Sequence, residues 1–447
     1  MNKNISIPKE VINIINKFQK NGTEIYIVGG ASRDLIMDRK VNDWDFTTNI
    51  TPEEVKKIFP NTFYNNNFGT TSIVNKDKEI FEVTTFRTER GYSDSRHPDE
   101  IKWGKTLEED LQRRDFTINA IAIKINSNNQ DVEIIDLFGG QKDIEQKKIR
   151  TVGNPDERFS EDALRLMRAV RIATQIGFNL EKETLESIKR NSSLINKVAG
   201  ERIRDELFKI LLAEKPSRGI ELLRDSELLK EIIPELLLGI DFAQKGHHID
   251  DVWTHNLKTL DNCLSSNPIT RLACLLHDVA KPIVAMGSGE ARTFHNHEIV
   301  GSRIATRFGK RLRLSNKELD LLFILVRRHM FTSEEGQTDK AVRRFIKNVT
   351  PEYIDEMLSL RRADRVGSGA RETSWRLELF KNRVVEVQKQ PFSIKDLKVD
   401  GKDVMEILDI KPSRKVGEVL ENIFKEVEDN PELNQREILL EKIKGFK

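Results

Sequence analysis

The pattern of apolar and polar positions changes once along the chain, between residues 145 and 156. Before this point, short apolar runs rich in β-branched residues alternate with short amphipathic segments, which predicts a mixture of strands and helices. From Asp156 onward hardly any strand pattern remains, and one amphipathic helix follows another. The pattern therefore predicts an α+β protein, with a small N-terminal head of strands and helices on a long helical body.

Individual elements of the head follow from local patterns. Residues 6–20 predict an amphipathic helix, because Val11, Ile12, Ile15 and Phe18 recur near helical spacing. The run TEIYIVGG predicts a buried strand that enters a glycine turn. Further strands are predicted at DWDFTTN, TSIVN, EIFEVTTFR and INAIAIKI, and helices at TPEEVKKIF and TLEEDLQRR.

Length and breaks in the pattern predict several domains. A chain of 447 residues is too long for one ordinary core, so we expect two to four domains. Breaks at EKPSRG, GIDFAQKGHH, MGSGEART and VGSGARE divide the helical part, and no internal repeat is found. We predict a head at residues 1–145, a helical neck at 146–235, a helical body at 236–370 and a helical tail at 371–447.

Composition narrows the class of protein. The net charge of +2 excludes a uniformly basic polymer binder, although a locally basic cleft stays compatible with it. The only cysteines, Cys263 and Cys274, cannot build a disulfide framework, which favours a reducing compartment. The opening MNKNISIPKEV lacks a signal pattern, and no run of about 18 apolar residues occurs. We therefore expect a cytoplasmic protein that does not enter membranes.

Two aspartates near the predicted glycine turn are candidate metal ligands. Asp43 and Asp45 stand two residues apart in NDWDF, so in a strand both carboxylates point to the same face. Two like charges at that spacing are unfavourable unless a cation lies between them. A hard divalent ion such as Mg²⁺ binds one or two carboxylates together with substrate phosphates. The alternative is an exposed strand on which both aspartates are simply solvated.

The residues before these aspartates suit a polyphosphate. Gly29 and Gly30 let backbone amides approach phosphates closely because no Cβ intervenes. The guanidinium of Arg33 can donate two hydrogen bonds side by side to the terminal phosphates. With a metal clamping the attacking and leaving oxygens, these parts describe a nucleotidyl-transfer site.

Five segments in order resemble one family. The stretch YIVGGASRDLIMDRKVNDWDFTT resembles the DNA polymerase β nucleotidyltransferase superfamily, in the branch of bacterial class II tRNA nucleotidyltransferases (CCA-adding enzymes) and poly(A) polymerases. The other segments resemble the family's ribose-selecting motif, its head-to-neck hinge, its base-recognition motif and the helix closing the neck: residues 108–123, 134–144, 150–178 and 200–212. The resemblance implies a polymerase β-like head, an all-α neck, an HD-type body and a tail that binds tRNA.

In RRDFTIN, the resemblance assigns ribose and phosphate contacts to Arg114, Asp115 and Asn119. An acid and an amide can recognise a 2′-hydroxyl, which both donates and accepts hydrogen bonds. The alternative is an Arg–Asp pair that caps a helix.

In SEDALRLMRAVR, read as one helix, the resemblance makes Asp162 and Arg165 the protein template for the incoming base. Cytosine N4 and adenine N6 are donors, whereas guanine O6 and uracil O4 are acceptors. A carboxylate acceptor beside a guanidinium donor therefore favours C and A over G and U. One bidentate pair gives about 1–3 kcal/mol of discrimination. Arg168 and Arg171 then suit the triphosphate or the primer backbone, the alternative being arginines on a solvated helix face.

Three weaker features complete the head and tail. Glu82, in FEVTTFR, is the candidate third metal carboxylate, or a simple strand-face acid. Residues 87–104 resemble the flexible loop of CCA- and A-adding members, which argues against an enzyme that adds only the two cytidines. The helix after KPSRKVG could offer its N-terminus to tRNA phosphates, although Ser413 stands where family members often carry glycine.

The body carries the ligand order of HD-domain phosphohydrolases. His255, the adjacent His277 and Asp278, and Asp364 reproduce it, and imidazole with carboxylate suits Zn, Ni, Mn or Fe. Other histidines could extend the site: His295, His297 and His329. This implies a second, metal-dependent phosphohydrolase or cyclic phosphodiesterase centre, and the alternative is an HD scaffold that serves only as a rigid arm for tRNA.

The sequence therefore predicts an enzyme that adds C, C and A to the 3′ end of tRNA from CTP and ATP, with release of pyrophosphate and with Mg²⁺ as cofactor. The alternatives are an A-adding enzyme paired with a separate CC-adding one, a poly(A) polymerase, an HD phosphohydrolase with a non-catalytic head, and a pure RNA-binding module. The expected partners are the 3′ end and acceptor arm of tRNA.

Overall fold

The structure is a computed structural model that describes residues 7–65, 69–75, 78–90, 100–126, 131–244, 250–332, 338–388 and 394–446. The chain forms two compact units. The first comprises the residues up to Leu237 together with Arg311–Leu314, and the second comprises Leu238–Lys310 and Ser315–Lys447. Within the described part of the chain, none of the helices combines the length and apolar character that crossing a membrane requires.

The first unit opens with a mixed β-sheet. Its described residues form a seven-stranded sheet in the order β3-β4-β5-β2-β1-β8-β9, in which β2 and β5 are parallel and the other neighbours antiparallel. A separate antiparallel pair joins β6 and β7. The strands are β1 (Ile25–Ile27), β2 (Trp44–Thr48), β3 (Thr62–Asn65), β4 (Thr70–Val74), β5 (Ile80–Thr85), β6 (Arg87–Arg90), β7 (Glu100–Trp103), β8 (Ile121–Ile125) and β9 (Val132–Asp136).

Both faces of β1 are covered, which explains its continuous apolar run. Ile25 and Ile27 join the core that contains Phe18 of the first helix, whereas Tyr26 packs on the opposite face in the cluster of Phe86. The helices here are α1 (Lys9–Lys20), α2 (Gly29–Ile36), α3 (Pro52–Ile58), α4 (Leu107–Gln112) and α5 (Gly140–Glu145). Capping boxes begin α3 and α4, as their TPEE and TLEE sequences favour.

The rest of the first unit is helical apart from a short parallel pair, β10 (Lys148–Ile149) and β11 (Asn179–Leu180). Gly219 allows helices to approach closely, since a Cβ there would lie 2.4 Å from Cγ2 of Ile210. The helices are α6 (Pro155–Glu161), α7 (Leu164–Ile176), α8 (Lys182–Asn191), α9 (Gly200–Leu211), α10 (Pro216–Asp225) and α11 (Leu228–Ile232).

In the second unit, the described residues outside helices form turns, bends and short bridges. Gly367 lets α18 approach α12, since a Cβ there would lie 2.6 Å from Oγ1 of Thr259. The last three helices pack around their own apolar cluster, which includes Ile423. The helices are α12 (Val252–Asp261), α13 (Pro268–Leu276), α14 (Lys281–Val284), α15 (His297–Arg311), α16 (Asn316–Arg328), α17 (Asp339–Val349), α18 (Ile354–Gly367), α19 (Trp375–Gln388), α20 (Gly401–Leu408), α21 (Arg414–Asp429) and α22 (Arg436–Lys444).

The predicted fold class, a mixed-sheet head followed by a helical body, is confirmed. Three local predictions differ. Ile14 rather than Ile12 enters the core beside Val11 and Ile15. The strand predicted over INAIAIKI is shorter, because Thr117–Asn119 forms a 3₁₀ turn before β8. The strands β3, β6, β7, β9, β10 and β11 were not predicted, because short or half-buried strands show little apolar contrast.

The helix predicted through SEDALRLMRAVR is wrong at its start. α6 ends at Glu161, and α7 begins at Leu164. Asp162 between them is extended, with φ −137° and ψ 105°, and its Oδ1 accepts from the backbone N–H of Leu164 at 3.0 Å. An aspartate side chain readily accepts such a bond from the N–H two residues on, which forms an Asx turn in place of helix, and the apolar spacing across the break hid the boundary.

Candidate functional site

The predicted glycine turn brings the start of α2 against the second aspartate. The N–H of Val28 donates to the backbone oxygen of Asp45 at 3.0 Å, and Gly29 follows with φ +72°. A Cβ on Gly29 would lie 3.1 Å from Oδ2 of Asp45 and 3.4 Å from Nη1 of Arg114. The left-handed backbone and the missing side chain are therefore both required for this close approach.

Three carboxylates influence one another electrostatically near the start of β2. Asp45 on β2 lies in register with Glu82 on the parallel strand β5, and Asp43 stands exposed just before β2. Burial raises the pKa of Asp45 to about 6; the Arg114 guanidinium opposes the rise, and Glu82 and Asp43 add to it. A carboxylate disfavoured in its charged form beside two others gains from a divalent cation, so the donor set fits a hard metal ion.

Arg33 on α2 is fixed in place by two partners. Its Nε donates to Oδ1 of Asp34 at 2.9 Å, and its Nη1 donates to Oδ1 of Asn119 at 3.0 Å. The structure thus brings together Arg33 and Asn119, which the sequence predicted as separate nucleotide contacts.

Arg114 is held by an acid that the sequence did not single out. Its Nη2 donates to Oδ2 of Asp110 at 2.9 Å, and Nη2 of Arg113 donates to Oδ1 of the same carboxylate at 2.6 Å. Burial alone would raise the pKa of Asp110, but the two guanidinium groups outweigh it and hold the pKa at about 2. Asp110 therefore positions Arg114, whose Nη1 faces the Gly29 turn.

Asp115 pairs with an arginine of the predicted base-recognition segment. Arg168 donates to Oδ2 of Asp115 through Nε at 2.8 Å and through Nη2 at 2.5 Å, while Asn119 Nδ2 donates to Oδ1 at 3.3 Å. Burial would raise the pKa of Asp115, but Arg168 overrides it and holds the pKa at about 2. The Arg168 side chain stays 36% exposed, whereas that of Asp115 is 8% exposed.

The backbone N–H of Arg165 donates to the backbone oxygen of Asp162 at 2.9 Å, but the two described side chains have different partners. Arg202 on α9 donates to Oδ2 of Asp162 from Nη2 at 2.9 Å. Arg165 instead pairs with Glu161 and donates from Nη2 to the backbone oxygen of Arg113 at 3.2 Å.

Arg171, which the sequence placed near the triphosphate or primer, forms an ion pair with the buried Glu206 on α9. Sequence reasoning missed Arg202 and Glu206 as partners, although both lie in the GERIRDELFKILL segment that resembles the family. Helical spacing alone cannot show which face of α9 turns toward α7.

The second unit gathers six predicted ligands, and four of them, all histidines, lie around the carboxylate of the fifth, Asp278. Oδ2 of Asp278 lies 3.4 Å from Nε2 of His255 and 3.2 Å from Nε2 of His277. Its other oxygen, Oδ1, lies 3.3 Å from Nε2 of His297 and 3.7 Å from Nε2 of His329. The side chains divide into two triads whose ligand atoms lie within 4.8 Å of one another: His255, His277 and Asp364, and Asp278, His297 and His329.

Three of the imidazoles are oriented for metal binding. Each Nδ1 donates to the backbone carbonyl three residues earlier, at 2.8–2.9 Å, and this leaves the Nε2 lone pair aimed at the cluster. Burial lowers the pKa of His329 to about 3, so its ring is neutral. The rings are His277, His297 and His329. Because every ring presents a lone pair beside a carboxylate, the donor set fits transition-metal ions.

Two further predicted positions lie apart from these clusters. His295 is exposed and belongs to neither triad, since α15 begins only at His297. Ser413 is the N-cap of α21 and makes no side-chain capping bond.

Comparison with known proteins finds three family models along the chain. "Poly A polymerase head domain" matches residues 25–150, "Probable RNA and SrmB- binding site of polymerase A" matches residues 177–238, and "HD domain" matches residues 256–367.

Curated relatives are similar along either part or nearly all of the chain. A CCA-adding enzyme of Ligilactobacillus salivarius is 33% identical over 438 residues, which is 98% of this chain and 96% of that protein. A CCA-adding enzyme of Pediococcus pentosaceus is 41% identical over 249 residues, or 56% of this chain and 60% of that protein. The crystal structure of the Bacillus stearothermophilus CCA-adding enzyme in complex with CTP has a TM-score of 0.71 at 29% identity, with 98% of this chain and 97% of that chain covered.

Proposed function

The chain belongs to the family of CCA-adding enzymes, and on that premise we propose that it adds C, C and A in turn to the 3′ end of tRNA, from CTP and ATP with release of pyrophosphate. The observation that carries the proposal is the contact of Asp45 with the Gly29 turn, beside Glu82, Asp43 and Arg114. These residues combine carboxylates for a divalent metal with backbone and guanidinium donors for phosphates.

In this proposal Asp43 and Asp45 hold Mg²⁺, with Glu82 as third carboxylate. Bound there, the metal neutralises phosphate charge and lowers the pKa of the primer 3′-hydroxyl. The amides of Gly29 and Gly30 at the start of α2 bind phosphate oxygens. Because these donors are fixed before substrate arrives, catalysis consists of positioning and charge stabilisation.

Arginines fixed by hydrogen bonds to neighbouring side chains line the rest of the proposed nucleotide site. Arg33 and Arg114 bind the triphosphate, while Asn119 and Asp115 select the ribose, Asp115 also orienting Arg168. The base is read by Asp162 and Arg165, once a nucleotide replaces the partners that these side chains have here. Arg168 and Arg171 face the phosphates or the primer in this scheme.

The proposed division of labour follows four parts of the chain. Residues 1–145 catalyse transfer, 146–235 recognise the base, 236–370 carry the HD-type centre and 371–447 bind tRNA. Half of the loop at residues 87–104 that separates CCA- or A-adding enzymes from CC-adding ones, namely 91–99, lies outside the described residues, and β6 and β7 pair on either side of that gap.

A primer-extension assay tests this function directly. tRNA ending before, within and after CCA is incubated with CTP, with ATP and with both. We expect two C residues from CTP alone and a single A afterwards. An enzyme that adds only A would incorporate nothing from CTP, and a poly(A) polymerase would extend beyond one A. Asp45→Ala should abolish all incorporation, whereas Asp38→Asn, an exposed acid at the end of α2, should not.

A second function is proposed for the histidine cluster, because Asp278 offers one oxygen to each ligand triad. We propose that the two triads hold a pair of transition-metal ions that support hydrolysis of a phosphate ester. Metal analysis of the purified protein tests this. We expect close to two transition-metal ions per chain, one in His297→Ala, and an unchanged transition-metal content in Asp45→Ala.

A further inference from the structure

The strands β5, β4 and β3 bury only one of their two faces. Ile73, Phe81 and Val83 point into the core that these strands share with α1. Alternate residues of a strand point to opposite faces, so the residues between them form a second face. The described side chains of this second face are half-buried or exposed, and Phe63 on β3 is 74% exposed although it is large and apolar.

Phe63 stands in one cross-strand row with the proposed metal carboxylates. Asp45 on β2 lies opposite Glu82 on β5. Ser72 on β4 lies opposite Glu82, and Phe63 lies opposite Ser72. Residues that lie opposite each other share a face, and neighbouring strands are about 4.8 Å apart, so Phe63 lies about 14 Å from Asp45 and about 10 Å from Glu82. The open face is therefore continuous with the proposed active site.

The residues proposed to bind the incoming nucleotide lie on the other side of Asp45. Arg33 is on α2, which follows β1, and it bonds to Asn119 just before β8. In the sheet, β1 and β8 lie on one side of β2, whereas β5, β4 and β3 lie on the other. In nucleotidyl transfer the attacking and leaving oxygens are roughly in line at phosphorus. With the triphosphate beside Arg33, the primer hydroxyl reaches the phosphorus from the side of Glu82 and Phe63.

An open sheet face with an exposed aromatic ring suits single-stranded RNA. Unpaired bases stack on aromatic side chains, and one common RNA-binding fold presents such rings on its sheet. Stacked nucleotides advance by about 3.4 Å each, so the distance of about 10 Å from Glu82 to Phe63 corresponds to about three nucleotides. Stacking is tolerant of base identity, which suits an enzyme whose primer end changes after each addition. Between the two residues, the half-buried Ser72 offers a hydroxyl to a phosphate or 2′-hydroxyl oxygen.

We infer that Phe63 stacks on an unpaired base of the tRNA 3′ end, about three nucleotides from the reactive hydroxyl, and so lays the primer across Glu82. The inference rests on the proposed nucleotide addition. Phe63 binds the primer and does not contact the incoming nucleotide. Its loss therefore raises the KM for tRNA and leaves the KM for CTP and ATP unchanged.

Steady-state addition of AMP to a tRNA that ends in CC measures the two KM values separately. Phe63→Ala should raise the KM for this primer about tenfold or more at an unchanged KM for ATP, because stacking of one base is lost. Phe63→Tyr keeps the ring and should behave like the parent protein. Phe63→Leu is apolar without a π-face and should behave like Phe63→Ala.

A primer with an abasic third nucleotide from its end identifies the stacked base. The parent protein should bind it about as weakly as Phe63→Ala binds the intact primer. Combining the abasic primer with Phe63→Ala should then cause little further loss, since both changes remove the same contact. Additive losses would place the ring away from this base and contradict the inference.

The matched control is Phe323→Ala on α16, which removes a 41% exposed phenylalanine of the second unit and should keep the parental KM for the primer. Far-UV circular dichroism shows that each variant is folded. If the parent protein extends none of the tRNA primers, the proposed function fails. If it extends them and Phe63→Ala has the parental KM for tRNA, or raises both KM values equally, this inference alone is refuted. A changed oligomeric state of Phe63→Ala at an unchanged KM for tRNA would refute it too, by showing that a second copy of the chain covers this face.

Discussion

Replacing Asp45 by Asn should stabilise the metal-free protein while abolishing nucleotide addition. Asp45 is partly buried against Gly29 and lies in register with Glu82, and burial followed by its carboxylate neighbours raises its pKa from 3.8 to about 6. A charged group that is disfavoured in the folded state costs stability whenever it is ionised. The amide keeps the shape and removes the charge.

The magnitude and its pH dependence follow from the shift. About two pKa units at 1.36 kcal/mol each give an upper value of about 3 kcal/mol, and partial solvent exposure of Asp45 reduces this to about 1–2 kcal/mol. Between the unfolded pKa near 3.8 and the folded pKa near 6, the folded state binds more protons than the unfolded state. The stability of the parent protein therefore falls relative to Asp45→Asn as the pH rises through this window, and the difference is complete above about pH 6.

Thermal unfolding in EDTA at several pH values measures this difference. A change of 1 kcal/mol in the free energy of unfolding shifts the melting temperature by roughly 2–4 °C in a unit of about 150–250 residues. Asp45→Asn should therefore melt a few degrees higher than the parent protein at pH 7.5. Near pH 3.8 the two proteins should melt at the same temperature. Hydrogen exchange of β2 (Trp44–Thr48) shows that the change belongs to this strand. Mg²⁺ should stabilise the parent protein and not the variant.

The control is Asp38→Asn, which removes an exposed carboxylate and should leave the melting temperature nearly unchanged at every pH. A variant Asp45→Asn that melts below the parent in EDTA at pH 7.5 would refute the reasoning, because the carboxylate would then be stabilising the fold without a metal.

Three further predictions concern activity. Gly29→Ala should reduce single-turnover AMP addition on the order of 100-fold at normal expression, since a Cβ would lie 3.1 Å from Oδ2 of Asp45 in a left-handed backbone; a rate within tenfold of the parent would contradict this. Asp115→Asn should raise the KM for CTP and ATP about tenfold, because Arg168 loses the carboxylate that holds it. The pH profile of the reaction should stay unchanged, since the pKa of Asp115 is about 2, and a shifted profile would show instead that Asp115 titrates in the reaction. At limiting Mg²⁺, the rate of nucleotide addition should fall as the pH drops through about 6, where Asp45 becomes protonated. Saturating Mg²⁺ should move the midpoint of this pH–rate profile to a lower pH. A midpoint independent of Mg²⁺ would mean that another group titrates.

The parts that sequence predicted well depend on local pattern. The apolar run before Gly29, the glycine pair and the strand through Asp45 follow one another within a short segment, so their periodicity and turn chemistry predicted both the elements and the turn. The pairing of Asp45 with Glu82 was harder to predict from the sequence, because it depends on which strands are neighbours in the sheet and on their register.

The partners of the charged residues could not be predicted in this way. Asp115 and Arg168 are 53 residues apart, and Asp162 and Arg202 are 40 apart, so their meeting depends on how helices pack. Within the second unit, His295 and His297 are two residues apart in the same motif, yet only His297 is buried among the ligands. The start of α15, which decides between them, has no strong signal in FHNHEIVGS.

The long-range pairs also indicate what the buried acids of the first unit contribute. A buried ion pair often adds little to the free energy of unfolding, because desolvation of both groups offsets their attraction. The acid in each of two pairs here is almost fully buried, whereas its arginine keeps an accessible part: Arg168 is 36% exposed against 8% for Asp115, and Arg114 is 15% exposed against 0% for Asp110. Such pairs hold each guanidinium in place through its buried acid while part of the guanidinium stays accessible. In nucleotidyl transfer, negative charge develops on phosphate oxygens. Guanidinium groups that are already fixed in place can stabilise this charge without rearranging.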